Sequence, residues 1–355
     1  MKLCFLGDIS FNDIYQKMYQ KGISPFSTLK FGEVDYIIGN LECLAEGIEG
    51  ENLLKNPRLK TSVETLNYLN DIGVDIVELA HNHIYDNLKS GFERTINFLD
   101  RNNIKYLGAS QIKGYEREPI VLSKGKVSVC LLNYVTKDTN PSLPNNASVF
   151  LNWFDKDVVV NDIKVNKMRY DYVVLLLHWG GLMEGAMQPD FAQRGLAHDL
   201  IDAGADIIVG NHSHTIQPFE IYDNKYIFYS LGNFCFSDRV NRETGDIEGS
   251  MNLAKNRYSR ILEVDFNREK LNVNIRYLYR NKDNGVSEAK KPFSVLFHQY
   301  FFSFFYRYKI VSELYIILHR LYTPIEKVLF DSNITFVSIL KRINKKSLKR
   351  YFGFS

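Results

Sequence analysis

Short apolar runs of β character, separated by helical patterns, leave few folds open to this chain. They recur at Leu3 to Leu6, Tyr36 to Ile38, Val74 to Leu79, Val127 to Leu132, Tyr172 to Leu177 and Ile207 to Val209, with strand-type residues in each. Between them, "NLKSGFERTINFLDRNN" and "PDFAQRGLAHDLIDAG" carry apolar residues at helical spacing, and Gly204 stands where the second helix should stop. Strands alternating with helices predict an α/β core. After Pro218 the pattern changes to strands without helices, with turns expected at Asp223-Asn224 and at Asn267 to Lys270. Such hairpins would form a second sheet or extend the edge of the first. The stretch Val240 to Asn256, rich in Gly, Asn and charge, reads as a mobile loop.

The residues at the end of each strand carry the chemical information, because ligand-binding loops collect at strand ends in α/β folds. "FLGDIS" ends in Asp8, "IIGNLE" in Asn40 and Glu42, "ELAHNH" in Asn82 and His83, "LLLHWG" in His178, and "IIVGNHSH" in His212 and His214. One histidine after a strand is usually a hydrogen-bonded structural residue. Five endings in carboxylate, amide or imidazole are a different matter, since these are the oxygen and nitrogen donors a borderline divalent metal prefers.

Charge and cysteine use bound the remaining classes. The net charge of +3 over 355 residues gives no argument for nucleic-acid binding. Its distribution is uneven: residues 291–355 carry +8 and hold 16 of the 48 aromatics, leaving −5 on residues 1–290. Cys4, Cys43, Cys130 and Cys235 are far apart and have no CxxC spacing, so core thiols are expected. The start "MKLCFLGDIS" goes directly into a strand and has no signal-peptide pattern. The expected setting is therefore cytoplasmic and reducing, with peripheral association at the inner membrane surface through the tail.

The motifs "GD" at Gly7-Asp8, "GNLE" at Gly39 to Glu42, "AHNHIYD" at Ala80 to Asp86, "HWG" at His178 to Gly180, "LIDAGADIIVGNHSH" at Leu200 to His214 and "YSLGNF" at Tyr229 to Phe234 resemble the CapA-type proteins of capsule and poly-γ-glutamate biosynthesis. The resemblance covers about residues 1–280. That family is in turn similar to the calcineurin-like metallophosphoesterases, which implies a sandwich of two β-sheets flanked by helices. Residues 1–285 would form that domain, and residues 291–355 a basic, aromatic-rich helical tail.

The resemblance further implies one or two divalent metal ions, with manganese, iron and zinc equally suited, held by Asp8, Glu42, Asn82, His178, His212 and His214. It also implies His83 as the catalytic histidine. Ser10, Asn40, Asp86, Glu184 and Asn233 would contact substrate or support the ligands. Ser10 stands where simple metallophosphoesterases have a metal-type histidine, and Asn211 and Ser213 replace residues of a His-His-Pro-His motif. For Asp86, capping of the helix near Asn87 is the commoner use, and orienting His83 the alternative. His81 is expected to pack or to support a ligand.

In the tail, Val311, Leu314, Tyr315, Leu318, Leu321, Tyr322, Ile325, Val328 and Leu329 form one helical stripe, expected to kink or break at Pro324. A stripe of that kind must be covered, by the catalytic body, by a second copy, by a synthase partner or by a membrane surface, the last suggested by "LKRINKKSLKRYFGF". Two functions are consistent with these features. One is a metal-dependent, phosphoesterase-type hydrolase acting on a phosphorylated or anionic precursor in capsule, poly-γ-glutamate or other surface-polymer synthesis. The other is a non-catalytic assembly factor that binds an anionic polymer.

Overall fold

The computed structural model describes residues 1–240, 247–249, 251 and 253–330. One sheet orders its strands Val286–Ala289, Leu271–Arg280, Tyr258–Phe266, Lys2–Ile9, Tyr36–Leu41, Ile76–Glu78 and Lys105–Leu107, with Asn233–Cys235 also pairing to Lys2–Ile9. The other orders Phe219–Tyr222, Lys225–Phe228, Ile207–Asn211, Tyr172–His178, Val127–Val135 and Ile120–Lys124. The four strands from Lys2–Ile9 to Lys105–Leu107 are parallel to one another. So are Val127–Val135, Tyr172–His178, Ile207–Asn211 and Lys225–Phe228.

Side-chain alternation along the strands assembles the layers. Leu3 and Phe5 from the first sheet meet Leu131, Val174, Leu176 and Val209 from the second in one buried core. The neighbours Cys4 and Leu6 point the other way, against Phe92, Phe98 and Leu99 of the helix Leu88–Arg101. Val173, Leu175 and Leu177 face Val159 and Ile163 of the helix Lys156–Lys167 and Leu200 and Ile201 of the helix Phe191–Asp202. The result is the helix-sheet-sheet-helix sandwich that the family resemblance implied.

The expected turns form as read: Asp223 and Asn224 both take positive φ in the Phe219–Phe228 hairpin, and Gly204 has φ 118° just past the helix Phe191–Asp202. The two hairpins divide the expected alternatives between them. Phe219–Phe228 edges the second sheet, whereas Tyr258–Arg280 extends the first beside Lys2–Ile9. All four cysteines are buried and none forms a disulfide. Of the expected loop Val240 to Asn256, residues 241–246, 250 and 252 lie outside the described residues, as does the basic stretch Lys341 to Arg350.

Two helices come after the sheets, Phe293–Phe304 and Lys309–Phe330. Phe302 and Tyr306 are buried in the outer layer of the second sheet beside Tyr229. The expected break at Pro324 does not occur, since the helix runs on to Phe330. A proline inside a helix costs about 3 kcal/mol. Tertiary contacts stand on both sides of it: His319 meets the Glu184 carbonyl, and Glu326 pairs with Lys255.

Candidate metal centre

Parallel strands deliver their C-terminal ends to one edge of each sheet, and register decides which residues stand side by side there. In the first sheet Asp8 pairs with Asn40 and Asn40 with Glu78; in the second, Asn211 pairs with His178. The strands extend further than their apolar runs suggested, Lys2–Ile9 past Leu6 and Ile207–Asn211 past Val209, so Asp8 and Asn211 are held by the sheet ladder and not by loops. Gly7 has a specific reason to be glycine. A Cβ there would lie 1.8 Å from the Gly232 carbonyl oxygen, to which the Asp8 amide donates at 3.0 Å. That close approach brings Asn233 alongside Asp8.

At the centre the Asn40 amide nitrogen has three neighbours: Asp8 Oδ1 at 2.8 Å, Glu42 Oε1 at 3.1 Å and His178 Nδ1 at 3.2 Å. Asp8, Glu42 and His178 each offer a ligand atom, and these atoms lie within 4.8 Å of one another with all three residues buried. His178 Nε2 meets Asn82 Oδ1 at 3.1 Å. His214 Nδ1 is 3.2 Å from Asp8 Oδ2 and 2.9 Å from Asn233 Oδ1. The His178 and His212 rings are 4.7 Å apart, and His212 and His214 6.2 Å. The two sheets thus contribute different donors: carboxylates and amides from the first, imidazoles from the second.

Burial sets the electrostatics. It pushes the Asp8 carboxyl up, but hydrogen bonding and charge from His214, with the Asn40 amide, outweigh it and hold Asp8 below the usual carboxylate range. His178 is held well below the usual imidazole range by burial and by the neighbouring His212, and burial lowers His212 to about 3. Both are therefore neutral at pH 7, the form in which imidazole ligates metal.

His212 carries the clearest sign of a ligand. Its side chain is 1% exposed, and neither ring nitrogen has a hydrogen-bond partner among the described residues. Buried polar atoms are rarely left so. Its backbone is also strained, with φ 98°, and His214 has φ 59°. An orphaned imidazole beside two carboxylates and two further imidazoles is a donor set that fits a divalent cation.

The other residues expected at the site divide into those the structure gathers and those it does not. His83 Nδ1 lies 2.6 Å from Asp86 Oδ2, which also accepts from the Leu59 amide. Asp86 therefore orients His83 and does not cap the helix; its carboxyl, pushed up by burial, is committed to the imidazole, and Asn87 occupies the cap position. The His83 amide donates to His81 Nδ1, and the His81 ring lies 6.0 Å from that of His178. Glu184 is close enough to His212 to act on its charge. Ser10 is buried, and its hydroxyl donates to Asn12 Oδ1.

Glu78 was missed. It is buried, receives a 3.3 Å hydrogen bond from Asn211 across the two sheets, and is pushed up to about 8 by burial and by the Asp8 charge. Its place at the end of the run "IVE" was the available signal; its register with Asn40 was not legible from one strand alone.

A family model described as "Bacterial capsule synthesis protein PGA_cap" matches residues 2–238. The chain is 30% identical over 258 residues to the PGA biosynthesis protein CapA of Bacillus subtilis (strain 168), covering 71% of this chain and 67% of that protein. It is 33% identical over 214 residues to the capsule biosynthesis protein CapA of Bacillus anthracis, of which it spans half. Among solved structures, a 5'-nucleotidase precursor from Thermus thermophilus aligns at TM-score 0.41 and 13% identity, covering 93% of this chain and 60% of that one.

Proposed function

Because the chain belongs to the bacterial capsule synthesis protein PGA_cap family, we propose that it is a metal-dependent hydrolase of phosphoester type, acting on a phosphorylated or anionic precursor of a capsule, poly-γ-glutamate or related surface polymer. The observation that carries this reading is the buried Asp8, Glu42 and His178 group with the two unmet nitrogens of His212 beside it. Asp8, Glu42, Asn82, His178, His212 and His214 would hold one or two divalent ions. When bound, such an ion would offset charge on phosphoryl oxygens and acidify a water near neutral pH.

The chain's own residues account for the proton. In phosphoester hydrolysis the P–O ester bond breaks, the water oxygen joins phosphorus, and a proton must reach the leaving oxygen. Asp86 engages His83 at Nδ1, which fixes the ring and assigns proton transfer to Nε2. Glu42 and Asp8 supply the negative charge that a cation needs in a buried setting.

Elemental analysis of protein purified without added metal or chelator, with turnover of p-nitrophenyl phosphate and bis-p-nitrophenyl phosphate, tests the reading. Wild type should carry bound metal, and Asp8→Asn should lose both metal and turnover. His83→Ala should keep the metal and lose roughly 10²- to 10⁴-fold in rate. A second reading, an assembly factor that binds an anionic polymer without turnover, is favoured by Ser10, whose hydroxyl is turned to Asn12. Tight polymer binding with no hydrolysis under any added metal would select it.

A further inference from the structure

The two helices after the sheets are apolar on their outward side as well as on the side that caps the body. In Phe293–Phe304 the residues Phe293, Phe297 and Tyr300 face outward, and in Lys309–Phe330 so do Leu314, Leu318 and Leu321; all six are between 53% and 79% exposed. Their spacing of three, four and seven residues places them along one stripe of each helix. The inward side is also apolar, with Val295, Phe302 and Tyr306 buried in the core, and it adds polar contacts. Ser312 is buried, the Tyr315 hydroxyl accepts from the Met187 amide, His319 meets the Glu184 carbonyl and Glu326 pairs with Lys255.

Among the described residues, 15 of the 24 exposed large apolar side chains fall between Phe293 and Leu329, which concentrates them far beyond the scatter a soluble surface shows. No helix among the described residues is long and apolar enough to cross a membrane. Charge favours a lipid surface over a second copy. Residues 291–355 carry +8, and the exposed Arg307 and Lys309 lie within the aromatic run at the junction of the helices. Between two copies the described residues 291–330 would set +3 against +3, whereas anionic headgroups complement that charge. Aromatic and aliphatic side chains beside Lys and Arg are the composition of a helix that lies in a bilayer interface.

We propose that the outward faces of Phe293–Phe304 and Lys309–Phe330 dock the protein peripherally on an anionic lipid bilayer. Flotation of the full chain with phosphatidylcholine vesicles, with and without phosphatidylglycerol, tests this alongside F297S/L318S/L321S, whose three sites face away from the core. Wild type should float with the phosphatidylglycerol vesicles and release at high salt. The triple variant should bind roughly tenfold more weakly or worse, with circular dichroism and thermal unfolding reporting its fold. R307E/K309E provides a second arm that leaves the apolar face intact and should weaken binding to the anionic vesicles alone. Failure of wild type to float on either vesicle would overturn the proposal. So would undiminished binding by a folded triple variant, or a solution dimer that this variant dissociates in the absence of vesicle binding.

Discussion

At the scale of single residues, the site depends on an amide. Asn40 has no charge and is not among the expected ligands, yet its nitrogen separates two carboxylates and an imidazole that would otherwise face one another. Removing it leaves like charges unbridged in a medium that screens them poorly. In metal-free protein, Asn40→Leu should lower stability by about 1–3 kcal/mol, read by urea unfolding at neutral pH; an unchanged midpoint would show that the carboxylates do not rely on this bridge. Asp86 gives the complementary lesson. An Asp just before a helix is usually a cap, but a histidine three residues earlier in the same turn competes for its oxygen, and in this turn the histidine wins.

Among elements, the attachment of the first tail helix is sensitive to pH. His298 accepts at Nδ1 from the Gln188 amide at 3.0 Å, and burial with the nearby Lys255 lowers it from 6.5 to about 4. An undocked helix would hold that imidazole at its ordinary pKa and so bind more protons between these values. Docking is then fully stabilised above pH 6.5 and weakens as pH falls toward 4. Hydrogen-exchange protection of residues 293–304, corrected for the intrinsic rate at each pH, should fall between pH 7 and about pH 5, and His298→Gln should flatten that response. Equal protection at both values in wild type would contradict this account of the helix contact.

On the scale of the whole molecule, the site exists only because two sheets are pressed together. Asp8, Asn40, Glu42 and Asn82 come from one, and His178, His212 and His214 from the other. Adjacent leucines on one strand separate this effect from stability in general. Leu176 is buried between the sheets, and Leu175 is buried against the outer helices. Each truncation to alanine should cost about 2–5 kcal/mol. Only Leu176→Ala should also weaken metal retention at temperatures where both variants are folded, measured by metal content after dialysis. Equal loss of metal in the two would mean that sheet spacing does not set the site.

The sequence by itself determined the α/β order, the turns and the polar residues at the strand ends, because each depends on local pattern: apolar periodicity, the backbone preferences of Gly, Asn and Asp, and the chemistry of side chains at strand ends. It also exposed the stripe at Leu314, Leu318 and Leu321, without showing which way it faces. Only the tertiary structure placed Glu78 in register with Asn40, carried the last helix through Pro324 and set the apolar stripe outward. Each of those outcomes rests on groups far apart in the chain competing for one hydrogen bond or one surface. Such a competition is decided by distances in space that no local pattern encodes.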